Sequence, residues 1–351
     1  MTMPQFIQPL PDGPLDIVGD VHGEIEALLS LLHRLGVDPD RRRAQRPVVF
    51  TGDLVDRGPD SVAVVELVAH LVEAGLARAV LGNHELNLLL DTKKEGNGWY
   101  WGDTTDHAQT STGRIPFRSR LATAAEKDGV RACIAEFPLV LERADLRVVH
   151  ACWDAEAGAK LPLAGDYATL TRRIASEIDD DLIFRGGPER AAAERAAFAG
   201  LKDRDRKPDR YLHAVAEQDA AHQSRNPFKL LTSGPEVPVA EDATFFTGGK
   251  WRFVARDPWW TRPVDRPTVV GHYWRLRATH DKLPPDQWEV PSLAWSGDVF
   301  CVDFSVGRRF EERERGRGPA KGFEGNLAAL RWPEKLVVFD DRNEHEPTSR
   351  G

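Results

Sequence analysis

Five short segments of this 351-residue chain carry side chains that do chemistry. They are Gly19-Asp20-Val21-His22-Gly23, Gly52-Asp53-Leu54-Val55-Asp56-Arg57-Gly58, Gly82-Asn83-His84-Glu85, Val149-His150-Ala151 and Gly271-His272. Carboxylate and amide oxygens combined with imidazole nitrogens suit divalent metals of intermediate hardness. Asp20 and His22 lie two residues apart, so both reach one ion. Asp53 can bridge two ions, because a carboxylate has two oxygens. Asn83, His150 and His272 complete the second ion. Two metals ~3.5–4 Å apart hold a bridging hydroxide and clamp an in-line displacement at phosphorus. Taken singly each segment is weak: a lone Gly-His is noise, His150 reads as a buried structural histidine, and Asn83 as a helix N-cap. Their joint occurrence, in order and at strand ends, carries the reading.

The elements that must position these residues are legible around them. Leu15-Asp16-Ile17-Val18 is an apolar run too short for a helix and reads as a buried strand. Ile25, Leu28, Leu29, Leu32 and Leu35 recur at helical spacing and Gly36 closes the stretch. Val48-Val49-Phe50 is a second strand. A helical run with Val65, Val68, Leu71 and Val72 follows Ser61 and ends at Gly75. Ala79-Val80-Leu81 is a third strand, and another helix begins at Glu85. Strand and helix in alternation predict a parallel sheet with right-handed crossovers. Ligands bind at the carboxyl ends of such strands, where Asp20, Asp53 and Asn83 fall.

Further along, residues 91–131 read as an ordered surface segment near the site, and 137–152 as a β-hairpin ending at His150. Residues 155–230 read as mostly helical and 231–268 as irregular. Short strands are expected at 268–270, 299–304 and 336–339. The chain is expected to be a single domain over 1–351, with 155–262 inserted into it as a helical and irregular segment and a disordered tail at 341–351. Arg308 to Arg315 reads as a solvated loop, with an Arg-rich substrate contact as the sharper alternative. The aromatic group Trp251, Trp259, Trp260, Tyr273 and Trp274 reads as a satellite core, with base stacking as the alternative.

Composition narrows the classes. With 47 basic and 55 acidic residues the net charge is −8, which disfavours general nucleic-acid binding. Three unclustered cysteines, Cys133, Cys152 and Cys301, exclude a disulfide scaffold and a four-cysteine metal site. No stretch approaches the ~20 apolar residues of a membrane span. A cytoplasmic location is expected, and the oligomeric state is left open.

The five segments together resemble the calcineurin-like metallophosphoesterase superfamily. Asp53-Leu54-Val55-Asp56-Arg57-Gly58 and Gly82-Asn83-His84-Glu85 resemble its phosphoprotein phosphatase branch, which includes bacterial diadenosine tetraphosphatases. The resemblance implies an α/β fold, a two-sheet sandwich flanked by helices. It implies two divalent metals, manganese first, with iron, zinc, magnesium, cobalt or nickel as alternatives. Asp20, His22 and Asp53 would hold one ion, and Asp53, Asn83, His150 and His272 the other. His84 would be the general acid, Asp56 would orient it, and Arg57 would bind phosphoryl oxygens. A second phosphate-binding arginine is implied, and Arg185 in Asp181-Leu182-Ile183-Phe184-Arg185-Gly186 resembles it. The chain departs from the pattern at Cys152, where glycine is usual, and at Trp274, where other branches place a further metal histidine.

The function expected is a phosphomonoesterase of the protein Ser/Thr phosphatase kind. The alternatives are a dinucleoside polyphosphate hydrolase and a non-catalytic scaffold that retains the fold. Its partner would be a phosphorylated substrate, whether a phosphoprotein or a nucleotide.

Overall fold

The computed structural model describes residues 4–110, 113–184, 186–198, 200–247, 249–276, 294–341 and 345–347. The chain divides into two compact units. One comprises 1–151, 162–166 and 260–351, the other 152–161 and 167–259.

The first unit is built on two six-stranded sheets. In one, Leu15–Val18 pairs in parallel with Val48–Phe50, which pairs in parallel with Ala77–Ala79. Ala328–Trp332, Leu336–Phe339 and His345–Pro347 extend it on the other side, all antiparallel. In the other sheet, Leu146–Val149, Thr268–Val270 and Val299–Cys301 run parallel as neighbours. Val140–Arg143 and Ile7–Pro9 lie beyond one edge and Ala294–Ser296 beyond the other. The strands nearest the centre are buried along their whole length, as in parallel sheets covered on both faces. Leu15, Ile17, Val49, Val148, Val269, Phe300 and Leu330 from both sheets share one apolar core, which makes the unit an α/β sandwich.

Helices cover the outer faces. Ile25–Arg34 buries Ala27, Leu28, Leu31 and Leu32, so the apolar face is turned from the one expected: Leu28, Leu32 and Leu35 are buried, but Leu29 is 48% exposed. Ser61–Glu73 starts where the Asp60 carboxylate accepts from Ala63 N, a cap worth ~1 kcal/mol.

Four expectations are corrected. The third strand is Ala77–Ala79 rather than 79–81, because Val80 N donates to Phe50 O but Leu81 N turns away to Pro138 O. Residues 91–131 are not merely surface: they include a helical turn at Gly98–Trp101 with Trp99 and Tyr100 buried, and a hairpin of His107–Thr110 with Gly113–Pro116. The helix Ala124–Ala135 follows, with Thr123 and Glu126 capping each other. Arg308 to Arg315 is not a solvated loop, since Arg309–Glu314 is helical. There Arg309 pairs with Asp340 at 2.8 Å, and Arg313 and Arg315 pair with Glu24 and Glu311. Part of the tail, His345–Pro347, is an edge strand rather than disordered.

The second unit is helical over Ala155–Lys160, Tyr167–Phe184, Gly187–Ala197, His213–Ser224 and Pro227–Ser233. Two short antiparallel pairs, Phe245–Thr247 with Lys250–Arg252 and Glu236–Pro238 with Val254–Arg256, give structure to a stretch expected to be irregular. Its core gathers Leu212, Val215, Phe253 and Val254, with Trp251 packed against it.

Candidate metal centre

Each candidate side chain sits just past the carboxyl end of a strand of the first unit. Asp20 follows Leu15–Val18, Asp53 follows Val48–Phe50, His150 follows Leu146–Val149, and His272 follows Thr268–Val270. Asn83 opens the helix Asn83–Leu89 after the strand at 77–79. The backbone there is unusual. Nine non-glycine residues among those described have a left-handed φ, and five are His22, Asp53, Asp56, Arg57 and His272. Such residues cost ~1–3 kcal/mol each and gather at functional sites. Gly271 allows a close approach: a Cβ there would lie 2.0 Å from Asp20 Oδ1.

The side chains converge. His22, Asp53 and His84 present ligand atoms within 4.8 Å of one another, and so do Asp53, His150 and His272. His22 Nε2 is 3.9 Å from Asp20 Oδ2 and 4.0 Å from Asp53 Oδ2. His150 Nε2 is 3.3 Å from Asp53 Oδ2, and Asn83 Oδ1 lies 3.2 Å from His150 Nε2 and 2.8 Å from His272 Nδ1. The tautomers follow from the partners. Thr51 O only accepts, so His150 Nδ1 carries a proton at 2.7 Å from it. Val55 O does the same for His22 Nδ1 at 3.1 Å. Both rings therefore turn Nε2 towards the carboxylates, the arrangement in which a backbone carbonyl fixes a metal-ligating histidine.

Around this centre Asp56 Oδ2 lies 2.5 Å from His84 Nδ1, and Asp56 Oδ1 accepts from the Trp99 indole at 2.7 Å. Arg57 Nη1 is 3.2 Å from His22 Nε2, and its Nη2 is 3.4 Å from His84 Nε2. Glu85 accepts four backbone N–H bonds, from Asp53, Leu54, Val55 and Gly82. It thereby ties the loop bearing Asp53 to the start of the helix bearing Asn83 and His84.

Burial pushes the Asp20 carboxyl well above its ordinary range, with Asp303 adding to it. Burial acts the same way on Asp53, but His150, His84 and His22 outweigh it and hold that carboxyl well below the usual range. Burial, then Arg57, depresses His22. Burial, then Asp53, raises Glu85 to about 7.

These charges test whether the residues fit metal ions. Asp20, Asp53, Asp56, Glu85 and Asp303 are all buried here, and the Asp303 carboxyl is raised by burial and by Asp53. Arg57 and the histidines stand against these carboxylates, and the buried Arg275 lies in the field of Asp303. Carboxylate and amide oxygens with imidazole nitrogens are a donor set of the right chemistry for divalent ions. The residues present fit a pair of divalent ions.

All the metal candidates, with His84, Asp56 and Arg57, are therefore brought together. Arg185 lies outside the described residues. Trp259 and Trp260 are buried and Cys152 is a small buried residue, while Trp274 is half-buried. Sequence reasoning passed over Trp99, Asp303 and the clamp role of Glu85. Glu85 stood in a quoted motif, whereas nothing in the sequence marked Trp99 or Asp303.

Part of this chain is similar in sequence to known proteins. Residues 13–124 match the family described as Calcineurin-like phosphoesterase. A Bis(5'-nucleosyl)-tetraphosphatase PrpE [asymmetrical] of Oceanobacillus iheyensis is 47% identical over 74 residues, 20% of this chain and 30% of that protein. A symmetrical Bis(5'-nucleosyl)-tetraphosphatase of Ralstonia nicotianae is 45% identical over 76 residues, 22% of this chain and 24% of the other. The chain spans under a third of the length of these curated relatives. Among solved structures, a cold-active protein-tyrosine phosphatase of a Shewanella species aligns over 97% of this chain and 83% of its own, at 17% identity and a TM-score of 0.43. The matched segment contains Asp20, His22, Asp53, Asp56, Arg57, Asn83 and His84, while His150 and His272 lie beyond it. No helix among the described residues is long and apolar enough to cross a membrane.

Proposed function

We propose that the chain is a metal-dependent phosphoester hydrolase acting on phosphomonoesters. The observation that carries this reading is the His84–Asp56–Trp99 chain beside the metal candidates. Asp20, His22 and Asp53 would hold one divalent ion, and Asp53, Asn83, His150 and His272 the other. Bound there, such ions supply Lewis-acid polarisation of a phosphoryl oxygen and activation of water.

The remaining steps belong to the chain itself. The Trp99 indole fixes one oxygen of Asp56, which turns the other to His84 Nδ1. That bond keeps a proton on Nδ1 and leaves Nε2 as the position from which a proton is passed on. From there His84 protonates the leaving-group oxygen. Arg57, two N–H groups of which reach the same space, binds the phosphoryl oxygens through its planar fork.

His84→Asn tests this. Metal content is expected to stay at the wild-type level while kcat falls ~10²–10⁴-fold, the usual worth of general acid catalysis. The loss should shrink for p-nitrophenyl phosphate, whose leaving group needs little protonation. An equal loss across leaving groups would overturn the assignment.

A second reading is a dinucleoside polyphosphate hydrolase, the activity named for the relatives above. One observation favours it. Arg308 is half-buried and forms no ion pair among the described residues, unlike Arg309, Arg313 and Arg315. It is next to Gly307, where a Cβ would come within 2.5 Å of the His22 ring. A spare guanidinium beside the centre suits further phosphates.

A further inference from the structure

Arg57 is held in an uncommon way. A guanidinium in a crowded site is ordinarily anchored by a carboxylate, which also occupies its N–H groups. Asp53, Asp56, Asp303 and Asp20 all influence Arg57 electrostatically. None of them forms an ion pair with it, and its side-chain polar contacts are the two histidine nitrogens. What it does have is Trp274, with the guanidinium carbon 4.6 Å from the ring centroid. Stacking takes up the face of the guanidinium and not its in-plane N–H groups.

The two residues are placed by the centre itself. Trp274 comes two residues after His272, whose backbone N–H donates to both Asp20 oxygens at 3.1 and 3.0 Å. Arg57 has a left-handed backbone, and its N–H donates to Gly96 O at 3.0 Å. At Gly307 a Cβ would stand 3.2 Å from Arg57 Nη1, so that side of the guanidinium is closely walled as well. The stack and the wall thus hold the guanidinium without occupying its N–H groups, two of which lie 3.2 and 3.4 Å from His22 Nε2 and His84 Nε2.

We propose that Trp274 is a positioning residue: it clamps the Arg57 guanidinium by stacking, so that its N–H edge stays directed at the space where phosphoryl oxygens would bind. The inference rests on the phosphoesterase reading and adds to it a residue that the sequence left to core packing or base stacking. The ring face turned to Arg57 is not open to a base.

The test is the affinity of the full-length, manganese-loaded protein for inorganic phosphate, measured by titration calorimetry alongside manganese content. Trp274→Ala is expected to weaken phosphate binding about 5- to 30-fold, within the range of a partly desolvated cation–π contact, with manganese content unchanged. Trp274→Leu, which keeps apolar bulk without a π-face, should lose nearly as much, and Trp274→Phe should recover most of the affinity. In an Arg57→Ala background the Trp274 substitutions should change affinity less than twofold. Wild-type affinity in both Trp274→Ala and Trp274→Leu would overturn the inference alone, as would an undiminished loss in the Arg57→Ala background. If the wild-type protein binds no phosphate, the inference falls together with the reading beneath it.

Discussion

Replacing Gly271 by alanine should cripple metal binding in a chain that still folds. The added Cβ would lie 2.0 Å from Asp20 Oδ1 and 2.7 Å from Thr51 Oγ1, where ordinary contact begins near 3.4 Å. The Asp20 carboxylate would have to retreat by more than 1 Å. It is buried, and both oxygens accept from the His272 N–H, so it cannot swing aside without losing that bond. Metal–ligand distances tolerate only about ±0.2 Å. Disturbing a residue that merely supports a ligand costs ~10–100-fold in metal affinity; displacing a proposed ligand should cost on the order of 100-fold. The overpacking itself should destabilise by ~1–3 kcal/mol. The control is Gly129→Ala, inside the helix Ala124–Ala135 with nothing within 4 Å of the added atom. It should leave metal binding alone and add ~0.5–1 kcal/mol of stability. Calorimetric manganese titration and urea denaturation of the two variants decide the matter. A Gly271→Ala protein that binds manganese within threefold of wild type would refute the packing argument and the placement of Asp20 at the centre.

Two other outcomes are expected. The Asp16 carboxyl is raised to about 6 by burial, against the pull of Arg331 and Arg46. A raised acid favours the fold while protonated, so this contribution is present below pH ~4 and lost as pH rises through 6. The stability of Asp16→Asn relative to wild type should therefore climb by roughly 2 kcal/mol between pH 4 and 7, and a flat difference in urea denaturation would contradict it. Arg308→Ala should leave the rate on p-nitrophenyl phosphate unchanged. A loss of ~10-fold or more on diadenosine tetraphosphate, about the worth of one charged hydrogen bond, would carry the polyphosphate reading, whereas unchanged rates on both would leave the phosphomonoester reading in place.

The parts of the fold legible in the sequence were those with strong period and punctuation. Leu15 to Val18, Ile25 to Leu35 and Ser61 to Gly75 each bury a continuous apolar run or stripe between glycines, and the structure keeps them nearly unchanged. Ala328–Trp332 escaped notice because the charge of Arg331 masks an otherwise buried strand. Arg309–Glu314 escaped because its charges read as solvent-facing, although their partners Asp340 and Glu24 are remote in sequence. The centre was legible through residue type and order. Its supports were not: the Trp99–Asp56 bond spans 43 residues and the Trp274–Arg57 stack more than 200. Neither leaves a local pattern.

The left-handed backbone at His22, Asp53, Asp56, Arg57 and His272 bears on any attempt to move this centre elsewhere. A residue in that conformation projects its Cβ along a direction that neither a strand nor a helix supplies. The side chains meet because the main chain is bent the rare way at five points, and the surrounding sandwich holds it there. Grafting the same letters onto a host loop with ordinary right-handed turns would aim those side chains apart, however faithfully their spacing were copied. A transplant must carry the torsions, and with them the two sheets that enforce them.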